Sequence, residues 1–196
     1  MNYLAHIYLS NEDPLVTIGN FIADKVKGKD YKTYNPSVQT GILLHRHIDT
    51  YTDSHKIVRQ STKRLHETYG HYSGVIVDIF YDHFLAKYWH KYSNTDLDIY
   101  VNNFYDLLQD HYDILPLGIK KIIPSLTTKN WLMNYESKAG ISRVLKGMET
   151  RIARPSNIGN AIVELDLFYD DFKHEFFSFF VDLIHFSKTK LIELSK

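Results

Sequence analysis

Three stretches of the 196-residue chain carry side chains that can bind a cation or move a proton. The first, His45-Arg46-His47-Ile48-Asp49-Thr50-Tyr51-Thr52-Asp53, sets two imidazoles and two carboxylates in a helix-patterned run. A helix advances about 100° per residue, so side chains four apart differ by only about 40°. His45, Asp49 and Asp53 therefore climb one side, while His47, about 200° from His45, points away. An imidazole with a carboxylate one turn later is a common metal-binding pair. It is also the pattern of a core histidine bonded to its own helix, so partners elsewhere in the chain decide between the two.

The second stretch, residues 73–92, supplies partners. On a helical wheel Asp78, Asp82, Leu85 and Trp89 share one side, and Lys87 and Lys91 lie about 140–180° away. The lysine side is the solvated one, so the two aspartates point inward. A lone ionised carboxylate buried there costs several kcal/mol or more, and two on adjacent turns repel. Either arginine or a metal must neutralise them. His83 falls about 100° from Asp82, towards the lysines, and reads as a surface or supporting residue. The third stretch places Thr17, Asn20 and Asp24 on one side of a helix surrounded by Ile18, Phe21, Ile22 and Val26. His6 precedes it. Inward acids and imidazoles repeated on separate helices are how α-bundles build metal sites.

Helices are what must position these groups, and the pattern is helical throughout. Asp13-Pro14 reads as a helix start, with the helix running to about Val26 and Gly28 beyond it. Helices follow over about 36–51, 54–69, 73–92, 97–109, 119–134 (split at Pro124), 137–154 and 158 to the C-terminus. Gly41, one turn before His45, leaves room for close approach to its helix. No alternating strand pattern, repeat or linker is present. The expected fold is all-α, with eight or nine helices in one compact domain spanning 1–196. The aromatic stripe Phe168, Phe172, Phe176, Phe179, Phe180 is core material.

Composition narrows the chemistry. There is no cysteine, which excludes disulfides, thiolate metal sites and a cysteine nucleophile. Any metal is held by nitrogen and oxygen, which suits Mn, Fe, Mg or Zn. With 23 basic and 23 acidic residues the net charge is zero, so no global field gathers nucleic acid. No apolar run is long enough to span a bilayer, and Met1-Asn2-Tyr3 lacks the basic start of a signal peptide. The expected location is the cytoplasm. Glycine-rich phosphate loops and the Gly-x-Ser-x-Gly elbow are absent.

The blocks Asn2-x-Leu4-Ala5-His6, Gly19-Asn20-Phe21-Ile22-x-Asp24, Gly41-Ile42-x-Leu44-His45-Arg46-x-Ile48-Asp49-x-x-Thr52-Asp53-x-His55 and Asp78-Ile79-Phe80-x-Asp82-His83-x-Leu85-Ala86-x-x-Trp89 together resemble the acyl carrier protein phosphodiesterases. The resemblance covers about the first 90 residues; Gly147-Met148-x-x-Arg151 is a weaker echo. It implies a cytoplasmic, metal-dependent hydrolase, typically using Mn, with an HD-domain-like helical core. The implied reaction removes 4′-phosphopantetheine from holo acyl carrier protein. One departure stands out: a contiguous His-Asp pair is missing, with His45-x-x-x-Asp49 and a reversed Asp82-His83 instead. Ligands are therefore assigned from wheel geometry. Asp24, His45, Asp49, Asp78 and Asp82 are the expected metal residues, with Mg or Fe as substitutes for Mn. Asp53 is the expected general base, and Arg46 is expected to reach the phosphate. An acidic carrier protein calls for local basic surface, found in Lys25–Lys32 and in Lys56, Arg59, Lys63 and Arg64. Two alternatives remain at this level. One is a metal-dependent hydrolase of another phosphodiester or nucleotide. The other is a non-catalytic carrier-binding module whose aspartates pair with Arg46 or Arg151.

Overall fold

The computed structural model describes residues 1–11, 13–152 and 156–196, and within them it is all-α, with no strand. Eleven α-helices are present among the described residues: α1 (Tyr3–Tyr8), α2 (Pro14–Ile22), α3 (Pro36–Ser54), α4 (Lys56–Tyr69), α5 (Ser73–Lys87), α6 (Leu97–Asp110), α7 (Leu117–Lys120), α8 (Ile123–Thr128), α9 (Lys138–Glu149), α10 (Ile162–Leu167) and α11 (Tyr169–Leu194). The count exceeds the expected eight or nine because the N-terminal segment forms a helix of its own, α1, and because the last segment breaks in two. Pro124 sits in the first turn of α8 and separates it from α7. The last segment breaks at Phe168 into α10 and α11. The expected end of the 137–154 helix, including Arg154, and the Pro155 break lie outside the described residues.

Helix starts follow the sequence signals. Asp13 Oδ1 accepts the Leu15 and Val16 N–H groups at 2.9 and 3.1 Å, and Asn35 Oδ1 accepts that of Ser37 at 2.9 Å. The start of α4 differs: His55, not Ser54, is its cap, accepting from Ile57 N–H. α2 ends at Ile22 and tightens into a 3₁₀ turn, Ala23–Lys25, which carries Asp24 off the helix proper.

α11 is the spine of the core. Phe172, Phe176, Phe179, Phe180 and Leu183 are fully buried against Phe80, Tyr81 and Phe84 of α5, with ring pairs such as Phe80–Phe172 at 5.2 Å. A buried polar tie joins α4 to α11: Arg64 grips Glu175 with two bonds of 2.8 Å, and Ser61 and Tyr81 complete the cluster. Arg64 is thus a structural cation and not part of a free basic face.

The crossing of α2 and α3 sets the site. Gly19 and Gly41 face each other there. A Cβ on Gly41 would lie 2.1 Å from Val16 O, and one on Gly19 would lie 2.2 Å from Val38 O. Only residues without Cβ allow this approach, and it brings the C-terminal half of α2 against the His45 turn of α3.

Candidate metal centre

Asn20 is fully buried at that crossing, one residue beyond Gly19. Its amide Nδ2 donates to His6 O and Ser10 Oγ at 2.8 and 2.9 Å, which fixes Oδ1 as the acceptor. His6 Nδ1 lies 2.8 Å from that Oδ1. His45 Nδ1 lies 2.8 Å from the Asn20 backbone oxygen and 3.2 Å from Oδ1. Both partners can only accept, so both rings carry their proton on Nδ1. One asparagine therefore sets the tautomer and the orientation of two histidines.

The rings stack at 3.9 Å with an interplanar angle of 19°, and both Nε2 atoms face the same space. His6 Nε2 is 3.1 Å from Asp49 Oδ1; His45 Nε2 is 3.1 Å from Asp49 Oδ2 and 3.2 Å from Asp24 Oδ1. In neutral rings these nitrogens are lone pairs directed at carboxylate oxygens. Buried His6 Nε2 has no hydrogen-bond partner among the described residues. Such a set is satisfied by a cation, either a proton or a metal ion. The ligand atoms of His6, His45 and Asp49 all lie within 4.8 Å of one another, close enough to share one ion. Two imidazoles plus carboxylate fit a first-row divalent metal.

Without metal, protons settle unevenly. Burial works against charge on His45, but hydrogen bonds to Asp24 and Asp49 outweigh it and raise its pKa to about 9. Burial, then the neighbouring His45, pushes His6 down to about 4. Burial favours protonated Asp49, yet its contacts with His45 and His6 hold its pKa well below the ordinary value. The hydrogen bond to His45 lowers Asp24 as well.

The surrounding cavity has a volume of about 270 Å³. Asp24, His45, Asp49, Asp53 and Asp78 all line it, as does His6. Five of the seven residues expected from the sequence thus meet there. Asp53 is exposed at the rim. Asp78 is half-buried, with the Met1 amino nitrogen 3.1 Å away, and burial raises its pKa. His47 faces solvent.

Asp82 and Arg46 lie outside this cavity. Asp82 is fully buried, but its carboxylate caps α1, accepting from Leu4 N–H at 2.7 Å, Asn2 N–H at 3.3 Å and Ala5 N–H at 3.4 Å. The free N–H groups of the helix start supply the neutralisation that a metal was expected to give. Burial still raises its pKa to about 7. Arg46 donates to Gly28 O at 2.9 Å and Val26 O at 3.0 Å, and lies 5.3 Å over the Tyr31 ring. His83 is not at the surface: it is fully buried, with Nδ1 2.7 Å from Tyr135 O.

His6 and Asn20 are the residues the wheel left unassigned. α1 is too short for a wheel to orient His6. Asn20 did give a signal, a polar residue beside glycine on an otherwise apolar helix.

The sequence profile of the acyl carrier protein phosphodiesterase family matches residues 1–183. A protein named acyl carrier protein phosphodiesterase from Photorhabdus laumondii subsp. laumondii is 30% identical over 191 residues, covering 97% of this chain and 96% of its own. Proteins of the same name from Serratia proteamaculans and Yersinia pestis are 27% and 26% identical, over 97% and 98% of this chain and 99% and 100% of theirs. No solved structure matches the chain.

Proposed function

The chain belongs to the acyl carrier protein phosphodiesterase family, and from that premise we propose that it hydrolyses the phosphodiester joining 4′-phosphopantetheine to holo acyl carrier protein, releasing the apo protein. It acts as a single 1–196 catalytic domain in the cytoplasm. No described helix is long and apolar enough to cross a membrane. The observation that carries the reading is the pair of Nδ1-anchored histidines whose bare Nε2 atoms converge with Asp49.

In the proposed site, His6, His45 and Asp49 hold a divalent cation, Mn by preference and Mg or Fe as substitutes, with Asp24 and Asp78 adjacent. When bound there, such an ion supplies an acidified water and positive charge for the phosphodiester oxygens. Asn20 holds the proton of both imidazoles on Nδ1 and keeps their Nε2 atoms aimed at the site. Asp53, exposed at the rim, accepts the proton of the attacking water. Asp82 supports the site from behind by fixing the helix that carries His6.

The carrier protein docks on the exposed Lys25, Lys27, Lys29 and Lys32, which follow Asp24 directly. Arg46 serves this surface by holding the Val26 and Gly28 carbonyls between those lysines. A module whose aspartates pair with arginine is disfavoured by the contacts: among the described residues, no Lys or Arg pairs with Asp24, Asp49, Asp53 or Asp78.

The test is direct. Metal-stripped protein given Mn should convert holo acyl carrier protein to apo and release 4′-phosphopantetheine, and metal-stripped protein alone should not. Absence of turnover with several carrier proteins and several divalent metals would sink the assignment.

A further inference from the structure

A second cavity, of about 370 Å³, abuts the first, and Asn2, Tyr3 and Met148 line both. Its remaining walls come from α8, α9, the segment between them and the turn just after α9. The lining is of two kinds. Tyr3, Trp131, Val144 and Met148 offer apolar surface, while Lys129, Asn134, Arg143 and Arg151 offer donors. The two arginines are held in place. Arg143 Nε and Nη2 both donate to Asn134 Oδ1, at 3.0 and 2.9 Å. The Arg151 guanidinium lies 4.5 Å over the Trp131 ring. Gly147 leaves open space on the α9 wall, with nothing within 4 Å of where its Cβ would be.

We propose that this cavity receives the pantetheine arm of the substrate, with Arg151 binding the arm's phosphate near the wall shared with the metal centre. The proposal rests on the phosphodiesterase reading above. The arm is an uncharged chain bearing a geminal dimethyl group, two amides and a terminal thiol, and hydrolysis leaves the phosphate on it. Such a ligand needs apolar contact along its length, a few amide partners and one cation at the phosphate end. The cavity presents apolar walls, amide partners and more than one cation, Arg143 being already engaged with Asn134, and its volume falls within the range of small-molecule sites, roughly 300–1,000 Å³. Continuity sets the direction: a phosphate beside Asp24 and Asp49 leads its arm past Tyr3 into the second cavity. Tyr3 lines both cavities, with Asp24 in the wall of one and Arg151 in the wall of the other; burial, then Asp24, raises its pKa, and Arg151 lowers it.

Tryptophan fluorescence can test this on the full chain. Of the two tryptophans, Trp89 is buried and Trp131 lines the cavity. Titration with 4′-phosphopantetheine and with pantetheine should each give a saturable change, and inorganic phosphate, which lacks the arm, should bind far more weakly than 4′-phosphopantetheine. Gly147→Phe, which fills the open wall, should weaken both ligands by about tenfold or more and lower kcat/KM for holo acyl carrier protein by a similar factor. Exposed Arg151 can be changed without disturbing the core, and Arg151→Gln should weaken 4′-phosphopantetheine while leaving pantetheine unchanged. The proposal is overturned if neither arm compound binds saturably at millimolar concentration, or if both variants bind and turn over like the wild type. The two readings separate cleanly. Gly147-sensitive arm binding without hydrolysis would reject the activity and keep the cavity. Hydrolysis insensitive to both variants would keep the activity and reject the cavity.

Discussion

The Gly41→Ala substitution tests whether the α2–α3 crossing builds the candidate metal centre. A methyl there would lie 2.1 Å from Val16 O and 2.8 Å from Asn20 N, against about 3.4 Å for ordinary contact. The difference from Val16 O, about 1.3 Å, must come from separating two helix backbones, since no flexible side chain can yield. Overpacking of this kind costs about 1–3 kcal/mol. For a chain of this size that is a fall in Tm of roughly 2–12 °C. The functional effect is larger than the stability effect suggests. Asn20 lies on the displaced side, and its carbonyl is 2.8 Å from His45 Nδ1. A further 1.3 Å breaks that bond and frees the ring to rotate or change tautomer. Losing an orienting partner of this kind reduces metal affinity by about 10–100-fold. Thermal melts of metal-free protein and calorimetric titration with Mn read the two effects separately. Gly74→Ala in α5, where nothing lies within 4 Å of the new Cβ, is the control: it should leave Mn binding unchanged and raise stability by at most about 1 kcal/mol. A Gly41→Ala protein that loses stability but binds Mn like the wild type would refute the link between crossing and site.

Asn20→Ala should reduce Mn affinity by about 10–100-fold with every acidic residue intact; unchanged affinity would show that the histidines orient themselves. Because metal needs neutral imidazole and the His45 pKa is raised to about 9, Mn binding at pH 7 should expel about one proton, falling towards none above pH 9. His6, lowered to about 4, contributes none at pH 7. Calorimetry in buffers of different ionisation enthalpy measures this, and a buffer-independent heat contradicts it. Linkage also predicts the stability of metal-free protein: the His45 contribution is complete below its ordinary 6.5 and is lost as pH rises through about 9. The Asp49 and Asp24 contributions, from lowered pKa values, are present above 3.8 and lost as pH falls below it. Urea melts at pH 7 and 9.5 should therefore show a drop, and a rise would reverse the assignment. Asp82→Ala leaves the Leu4, Asn2 and Ala5 N–H groups unpaired and should cost at least about 1–3 kcal/mol while Mn stoichiometry persists. Lost stoichiometry with unchanged stability would make Asp82 a ligand after all.

Why some of these residues were legible in the sequence and others were not follows from what a helical period encodes. Period fixes direction around an axis, so His45 and Asp49 could be placed together, His47 excluded, and Asp78 and Asp82 turned inward. It says nothing of depth along the axis or of what lies opposite. Asp78 and Asp82 share a direction, yet α1 covers one and the cavity opens on the other. Arg46 has the reach and charge for phosphate, but the nearest unsatisfied groups are the carbonyls of an irregular loop whose path no wheel describes. Asp24 sits on a 3₁₀ turn, where helical angles no longer hold, and still meets His45 because the glycine crossing brings the two segments together. Gly41 was readable as a point of close approach; its partner Gly19 was not, because pairing two glycines requires knowing that their helices cross. The centre depends on that pairing. The contact forces Asn20 between His6 and His45, and an asparagine with both amide hydrogens already donated can only accept. Both rings must then give up their Nδ1 protons to it as hydrogen bonds and turn their free nitrogens towards Asp49, which is the arrangement that demands a cation.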